Sequence, residues 1–149
     1  MPEHQEQSRR ELAAQFFRLS RAFNAAEAPL LEANDIQMWD YVVLSALDRG
    51  VAPTQLELAK VTGRDKTRII GNLDSLEEAG LLARHPDPTD RRAKIVEITS
   101  AGKDVVARCR AAIARMEDDV LADIPDGDRR TFLHVLGRLT SDVAEPKAP

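Results

Sequence analysis

The sequence predicts a mainly α-helical chain with one small β-hairpin, which is an α+β fold. Apolar residues recur at helical spacing over most of the 149 residues, and this spacing indicates several amphipathic helices. Residues 81–98 differ, because they form two short extended runs around the turn sequence PDPTDRR. A hydrophobic content of 43% with 31% charged residues is ordinary for a soluble globular protein of one domain's length.

Two helices are predicted before residue 50. The first is marked by apolar residues at i, i+4, i+7 and i+11, which are Leu12, Phe16, Leu19 and Phe23. We expect it to run to about Ala28, because Pro29 ends or bends a helix. The second is expected from about Asp35 to Leu47, with Gly50 past its end as a stop.

A short third helix and a sharp turn follow. Thr54 is expected to cap this helix, with Glu57 three residues later completing a capping box. The inner face is predicted to contain Leu56 and Ala59, with Leu58 as a further candidate. Residues 62–63, Thr-Gly, then predict a tight turn into a fourth helix, so that the two helices form a helix-turn-helix unit.

The fourth helix carries a cationic face. We expect it to begin near Arg64 or Asp65, with Asp65 in the first turn favoured by the helix dipole, and to end before Gly80. Its apolar stripe consists of Ile69, Leu73 and Leu76. The residues directed away from that stripe are Arg64, Thr67, Arg68 and Gly71. Cations, a hydroxyl and a glycine on one face indicate a negatively charged partner.

The two extended runs, 81–85 and 94–98, predict a hairpin. The loop between them contains prolines, which cannot continue a sheet, and aspartates, which fold turns. Its outer end presents Arg91 and Arg92, and Asp90 beside them either orients a guanidinium or folds the turn. A cationic helix followed by an arginine-tipped hairpin is the winged helix-turn-helix arrangement. There the helix enters the major groove of DNA and the wing reaches a minor groove or a phosphate.

Charge is unevenly distributed along the chain. The net charge is −4, which by itself argues against nucleic-acid binding. Segments 60–72 and 84–94, however, hold eight Lys or Arg against three acids, or +5, and leave −9 for the remainder. Salt confines the reach of each charge to about 8 Å. The local charge therefore decides the affinity for phosphate.

Two further helices are predicted at residues 100–123 and 128–143, separated by Pro-Asp-Gly. The first of these spans roughly 35 Å, which is too long for one small domain to cover its apolar side. We therefore expect the first and last helices to join it in a two-fold dimer. The expected domains are an N-terminal dimerisation helix at 1–34, a winged helix-turn-helix domain at 35–99 and C-terminal dimerisation helices at 100–149.

Four short motifs occur in order within residues 58–103. They are Asp-Lys-Thr at 65–67, Leu-Glu-Glu-Ala-Gly-Leu at 76–81, Asp-Pro-Thr-Asp-Arg-Arg-Ala-Lys at 87–94 and Ile-Thr-Ser-Ala-Gly at 98–102. In this order and spacing the segment resembles the MarR family of bacterial transcription regulators. The resemblance implies a homodimer that binds a pseudo-palindromic double-stranded DNA operator, usually as a repressor, and that responds to a small aromatic acid or phenol. The chain departs from the family pattern at Gly71 and Asn72, where relatives often carry a larger polar or basic side chain and an apolar one.

The predicted functional residues fall into two groups. The DNA-binding group is Arg64, Lys66, Thr67, Arg68, Ile70, Gly71, Arg84, Asp90, Arg91 and Arg92. The effector-binding group is Phe16, Phe23, Trp39 and Tyr41. Each group also has a plainer interpretation, since the cations can form a solvated helix face and Trp39 can pack between helices.

Other functions find little support in the sequence. Three isolated histidines and one cysteine form no catalytic or zinc-binding motif, so we expect no enzyme activity, metal or cofactor. Cys109 is either a core residue or a redox switch. No apolar run is long enough to span a membrane and no signal peptide is evident, so we expect a cytoplasmic protein. The alternative function is a winged-helix module that docks an acidic protein partner without specific DNA binding.

Overall fold

The computed structural model describes residues 11–50 and 54–142. Over these residues the chain forms six helices and one antiparallel hairpin, which confirms the predicted fold class. In chain order they are α1 (Leu12–Glu32), α2 (Met38–Asp48), α3 (Gln55–Thr62), α4 (Lys66–Glu78), β1 (Leu82–Pro86), β2 (Lys94–Ile98), α5 (Ser100–Val120) and α6 (Asp126–Asp142). The chain divides into two compact units, with the boundary between Ala114 and Arg115.

Helix α1 runs past Pro29, so the predicted end at Ala28 is wrong. A proline removes one backbone donor, but the Ala33 amide still donates to the Pro29 carbonyl at 3.1 Å. Leu31, in the turn after the proline, is only 1% exposed. Its burial favours keeping this last turn helical.

Helix α2 begins at Met38, three residues later than predicted. Asp35 has a φ of +58°, a left-handed conformation that cannot belong to a right-handed helix. The Asp40 carboxylate then accepts the Gln37 amide at 2.9 Å and so occupies a donor at the new helix start. The connection between α1 and α2 is therefore a defined turn.

Helix α3 confirms Thr54 as its cap, through one of the two hydrogen bonds of the predicted capping box, and confirms two of the three predicted inner-face residues. The Thr54 hydroxyl accepts the Glu57 amide at 3.2 Å. Leu58 and Ala59 are buried, whereas Leu56 is 48% exposed, so its assignment to the inner face is wrong. Leu56 lies two positions before Leu58, about 200° around the helix, and the two side chains cannot share a face.

Helix α4 packs against the core through the apolar stripe that the sequence predicts. Ile69, Leu73 and Leu76 are each at most 2% exposed. Gly63, with a φ of +69°, makes the turn that leads into α4. Asp65 is the residue that caps the helix rather than a member of its first turn. The core that receives the stripe includes Leu31, Val43, Leu44, Leu58, Leu82, Val96, Val106 and Cys109.

The hairpin pairs Leu82 with Ile98 and Pro86 with Lys94. An isolated bridge joins Thr54 to Ile95, which connects the start of α3 to β2. Helix α5 then begins close to the end of α4. A β-carbon on Gly102 would collide with the Leu81 carbonyl, and this close approach accounts for glycine at that position.

Arg84 ties the hairpin to two helices. Its guanidinium contacts the Asp74 carboxylate at 2.5 Å and the Glu77 carboxylate at 3.2 Å, both on α4. It also donates to the Gln55 amide oxygen on α3 at 3.1 Å. The Arg84 backbone amide donates to Glu77 at 2.9 Å, and the side chain is only 12% exposed. The wing is thus fixed against the helix that precedes it.

The second unit contains the end of α5 and helix α6. Helix α5 ends at Val120 and α6 begins at Asp126, which corrects both predicted bounds, while the predicted end at residue 143 lies outside the described residues. The residue before a proline disfavours helix, and Ile124 precedes Pro125. Arg129 and Asp118 form an ion pair across this break.

We expect Arg84→Met to lower the free energy of unfolding by about 1 to 3 kcal/mol at pH 7, because charged hydrogen bonds are lost while the aliphatic stem is kept. The Arg84 hydrogen bond also lowers the pKa of Glu77. A lowered carboxyl pKa contributes stability above its unfolded value, and this contribution is lost as pH falls through the folded value. The variant should therefore lose less stability than the wild type between about pH 5 and pH 3.

Urea denaturation followed by circular dichroism at both pH values measures these differences. Arg49→Met is the matched control, because Arg49 is exposed and its side chain has no partner among the described residues. Equal unfolding midpoints and equal acid dependence in Arg84→Met and the wild type would show that the guanidinium does not stabilise the fold.

Candidate nucleic-acid interface

The outward face of α4 lies opposite its buried stripe. At 100° per residue, Thr67 and Gly71 point most directly away from Ile69, Leu73 and Leu76. Ile70, which is 44% exposed, flanks them on one side, and Arg68 flanks them on the other. Lys66 is also exposed at the start of the helix. The structure therefore brings five of the predicted DNA-binding residues together on the first two turns of α4.

Asp65 occupies the free amides at the start of this helix. Its Oδ1 accepts the backbone amides of Thr67 at 2.9 Å and Arg68 at 3.2 Å. These hydrogen bonds, first that from Arg68 and then that from Thr67, lower the pKa of Asp65. The carboxylate is thus engaged in starting the helix, and the side chains that follow it remain available.

Arg64 lies away from this outward face, contrary to the prediction. Its guanidinium sits over the ring of Trp39, 4.6 Å from the ring centroid. Its Nε donates to the Asn72 side-chain oxygen at 3.3 Å. The Asn72 amide nitrogen in turn donates to Asp40 Oδ1 at 2.8 Å. Arg64 therefore connects α4 to the start of α2.

Asn72 is the residue that sequence reasoning missed. It is half-buried at a position bordering the core stripe of α4, and a polar side chain there needs a hydrogen-bond partner. Its amide has two, Arg64 and Asp40. An asparagine beside an apolar stripe was the available signal, but the sequence does not reveal which residues it contacts.

A polar groove adjoins this connection. It has a volume of about 470 Å³ and is lined by Asp35, Gln37, Asp40, Arg64, Arg68, Gly71, Asn72 and Ser75. A smaller groove of about 130 Å³ lies where α1 meets the start of α2 and is lined by Asn24, Glu27, Ala28, Leu31, Glu32, Ile36, Gln37 and Met38. Neither groove is lined by the predicted effector-binding residues Phe16, Phe23, Trp39 and Tyr41.

The tip of the wing is folded by its aspartates. Asp90 Oδ1 accepts the Arg92 amide at 2.9 Å, so the Asp90 carboxylate folds the turn. Asp87 Oδ1 accepts the Thr89 amide at 2.8 Å, a hydrogen bond that lowers the pKa of Asp87. Arg91 and Arg92 are exposed, and their side chains have no partner within residues 11–50 and 54–142. Both cations are therefore free to bind an anion.

The predicted DNA-binding residues thus separate by environment. Arg84 is held between Asp74 and Glu77, and Asp90 folds the turn, so neither presents a free group. The residues that do present one are Lys66, Thr67, Arg68, Ile70 and Gly71 on α4 with Arg91 and Arg92 on the wing, and we call this set the basic surface. Arg84 partly neutralises the negative charges of Asp74 and Glu77 on α4. These two acids therefore repel an anionic ligand less than the sequence alone indicates.

Three further features of the described part of the chain bear on its function: its potential metal ligands, the apolar length of its helices and its cysteine. No three His, Cys, Asp or Glu side chains within it lie close enough to hold a metal ion, and none of its helices is long and apolar enough to cross a membrane. Cys109 has no exposed surface, and burial raises the pKa of its thiol. These properties favour the core interpretation of Cys109, because the reactive form of a cysteine is the thiolate.

A transcriptional regulatory protein is similar to this chain in sequence. A protein of Thauera aromatica, named as a transcriptional regulatory protein for the hcr operon, is 32% identical over 108 residues. The alignment covers 72% of this chain and 65% of the relative, so the chain spans slightly less than two thirds of the relative's length.

Solved structures of MarR proteins have a fold similar to that of this chain. A crystal structure of MarR is 26% identical and superposes with a TM-score of 0.80, over 88% of this chain and 96% of MarR. A mutant MarR from E. coli complexed with operator DNA is 21% identical, with a TM-score of 0.73 over 86% of this chain and 92% of that one. The model of the MarR family matches residues 34–93, which include α2, α3, α4, β1 and the tip of the wing. Over residues 34–93 the chain therefore matches the MarR family of transcriptional regulators, and its described residues have the fold of solved MarR structures.

Proposed function

We propose that this protein is a sequence-specific, double-stranded DNA-binding regulator that binds a pseudo-palindromic operator as a homodimer and acts as a repressor. The observation that carries the proposal is the basic surface, whose cations on α4 and on the wing are exposed while nearby acids are already paired. The E. coli relative with a similar fold is complexed with operator DNA, which supports the same class of ligand.

The proposed docking assigns separate tasks to α4 and the wing. The first two turns of α4 enter the major groove, where Lys66 and Arg68 neutralise phosphates and Thr67 and Ile70 meet base edges. Gly71 has no side chain, and no protein atom lies within 4 Å of the position of its missing β-carbon. The backbone of α4 can therefore approach the DNA closely at this point. Arg91 at the wing tip reaches the neighbouring minor groove or its phosphates.

The homodimer is inferred from apolar surface that the described residues leave uncovered. Helix α1 exposes Leu12, Phe16, Phe17 and Leu19, and helix α6 exposes Phe132, Leu133, Val135 and Leu139, each by at least 39%. So many large exposed apolar side chains on two helices are typical of an interface rather than of a free surface. We infer that a second copy of the chain covers this apolar surface, because a two-fold operator requires two copies.

Effector control is proposed at the contact between α2 and α4. Trp39 lies under Arg64, and Arg64 lines the polar groove together with Arg68. The carboxylate or phenolate of a small aromatic compound would compete for these guanidinium groups. Displacing Arg64 from Trp39 would loosen the connection that orients α4 and so would lower the affinity for DNA.

For the wing, we expect Arg91→Ala to weaken binding to an operator selected from random duplexes by about 1 to 3 kcal/mol. Its urea unfolding should match the wild type, because the side chain has no partner among the described residues. Fluorescence anisotropy at several salt concentrations measures both the affinity and the salt dependence. Arg92→Ala should cost less, because adjacent strand or loop residues tend to point in opposite directions and Arg91 is the residue assigned to the groove.

Arg49→Ala is the control for removing one exposed cation outside the basic surface, and it should leave the affinity unchanged. Unchanged affinity of Arg91→Ala at physiological salt would exclude the wing from DNA binding. Failure of the wild type to select any duplex sequence, together with the absence of two-fold stoichiometry, would favour the alternative of a module that docks an acidic protein.

For the dimer, we expect sedimentation equilibrium to give a mass of about 33 kDa, twice the 16.5 kDa of one chain. Replacing two exposed residues of α6 with charge, as in Leu133→Glu with Leu139→Glu, should shift the mass towards one chain and weaken operator binding. A wild type that remains monomeric at micromolar concentration while binding one full operator tightly would contradict the dimer.

For the effector, Trp39 is the only tryptophan of the chain, and Arg64 connects it to the polar groove, so its fluorescence should report the displacement of Arg64. We expect benzoate or phenol to quench it, with a higher apparent Kd when operator DNA is bound. A hundredfold loss of DNA affinity requires about 2.7 kcal/mol of coupling, and the same coupling must act on the ligand. A compound that releases DNA but binds equally well with and without operator would contradict this site.

A further inference from the structure

The centre of the basic surface is apolar and small rather than cationic. Thr67, Ile70 and Gly71 are adjacent at i, i+3 and i+4 on the outward face of α4. Ile70 remains 44% exposed, although the core stripe of this helix is complete without it. The position of the missing β-carbon of Gly71 has no heavy atom of the protein within 4 Å, so the face is open there.

Two of the nearby arginines are held by other residues, and the third lies on the opposite flank from Ile70. Arg64 is held on Trp39 and Asn72, and Arg84 is held by Asp74 and Glu77. Arg68 flanks Thr67 and Gly71 on the side opposite Ile70 and lines the polar groove. The next outward residue along the helix, Asp74, is already paired with Arg84. Thr67, Gly71 and the flank formed by Ile70 therefore carry no free arginine, asparagine or glutamine, the side chains that read guanine or adenine through two hydrogen bonds. The free arginine on the opposite flank, Arg68, is the one assigned to phosphate.

We propose that α4 reads thymine in the major groove through its C5-methyl group, with Ile70 as the main contact and the Thr67 methyl as the second. The inference rests on the proposed DNA-binding function and assigns base chemistry to it. Thymine is the base that presents a methyl group in the major groove, and apolar side chains are its usual partners. The missing side chain at Gly71 allows the closer approach that a short apolar contact needs.

The size of the effect follows from the apolar area involved. Burying one methylene-sized group favours association by an amount that corresponds to about fourfold in affinity. Each thymine methyl that contacts Ile70 or Thr67 should therefore contribute about threefold to tenfold. Since the two half-sites of an operator are equivalent, the effect should appear at the same position in each half.

The test replaces single thymines of the selected operator with uracil, which removes the methyl group and keeps the Watson–Crick pair. We expect one or two positions in each half-site to lose threefold to tenfold in affinity, and the others to be unaffected. Ile70→Ala should lose a similar factor on the unmodified operator and should become insensitive to uracil at one of those positions. This double-mutant cycle separates a direct contact from a general change in DNA flexibility.

Two variants serve as controls. Ile70→Val keeps a branched apolar side chain and should retain the sensitivity to uracil. Leu56→Ala removes a comparably exposed apolar side chain, 48% exposed, from the outer side of α3 and should retain both affinity and sensitivity. Urea denaturation confirms that each variant is folded, and the salt dependence of binding should be unchanged in Ile70→Ala because no charge is removed.

The outcomes distinguish this inference from the proposed function. If the wild type binds its selected operator but no single uracil lowers the affinity, methyl recognition is wrong and the DNA-binding function stands. If uracil lowers the affinity equally for the wild type and Ile70→Ala at every position, Ile70 is not the residue that reads the methyl group. If the wild type selects no duplex at all, the proposed function itself fails, and this inference fails with it.

Discussion

The paired guanidinium of Arg84 is the interaction on which the basic surface depends. It lies between the wing, the second half of α4 and the start of α3, and it satisfies the carboxylates of Asp74 and Glu77. Without it, those acids would stand unpaired between the cations of α4 and those of the wing. One side chain thus fixes where the wing lies and reduces the local negative charge. Burying a guanidinium is unfavourable unless it is hydrogen-bonded, and here each of the three Arg84 side-chain nitrogens has an acceptor.

The distribution of charge explains how a chain with a net charge of −4 can present a surface for an anion. Unpaired cations are exposed at Lys66, Arg68, Arg91 and Arg92, whereas acids near them cap the helix, fold the wing turn or pair with Arg84. Screening limits each charge to its own neighbourhood, so acids elsewhere in the chain scarcely weaken this surface. They do repel DNA that approaches from other directions, which favours one orientation of binding.

Much of the fold followed from local patterns, and the departures have physical causes. The stripe of Ile69, Leu73 and Leu76 predicted the alignment of α4 because helical periodicity is a local property, and the hairpin followed from prolines and aspartates. The extension of α1 past Pro29 depends on the burial of Leu31, which is a tertiary effect. The same applies to the candidate site. The sequence predicts DNA contact for Arg64 and Arg84, whereas the structure pairs them with Trp39 and Asp74. These partners lie 25 and 10 positions away, and helical periodicity cannot reveal pairs so far apart in sequence.

The polar connection between α2 and α4 has an energetic consequence for how α4 can move. It consists of two hydrogen bonds, from Asn72 to Asp40 and from Arg64 to Asn72, and of the cation–π contact between Arg64 and Trp39. Each such contact contributes on the order of 1 kcal/mol, whereas each fully buried side chain of the α4 stripe contributes about 2 kcal/mol or more. The effector proposed for the adjoining groove would therefore break the polar contacts while the apolar stripe keeps α4 folded against the core. The resemblance to the family implies an apolar residue at position 72, where it would add to the packing. We therefore expect Asn72 to make the orientation of α4 adjustable at little cost to the stability of the fold.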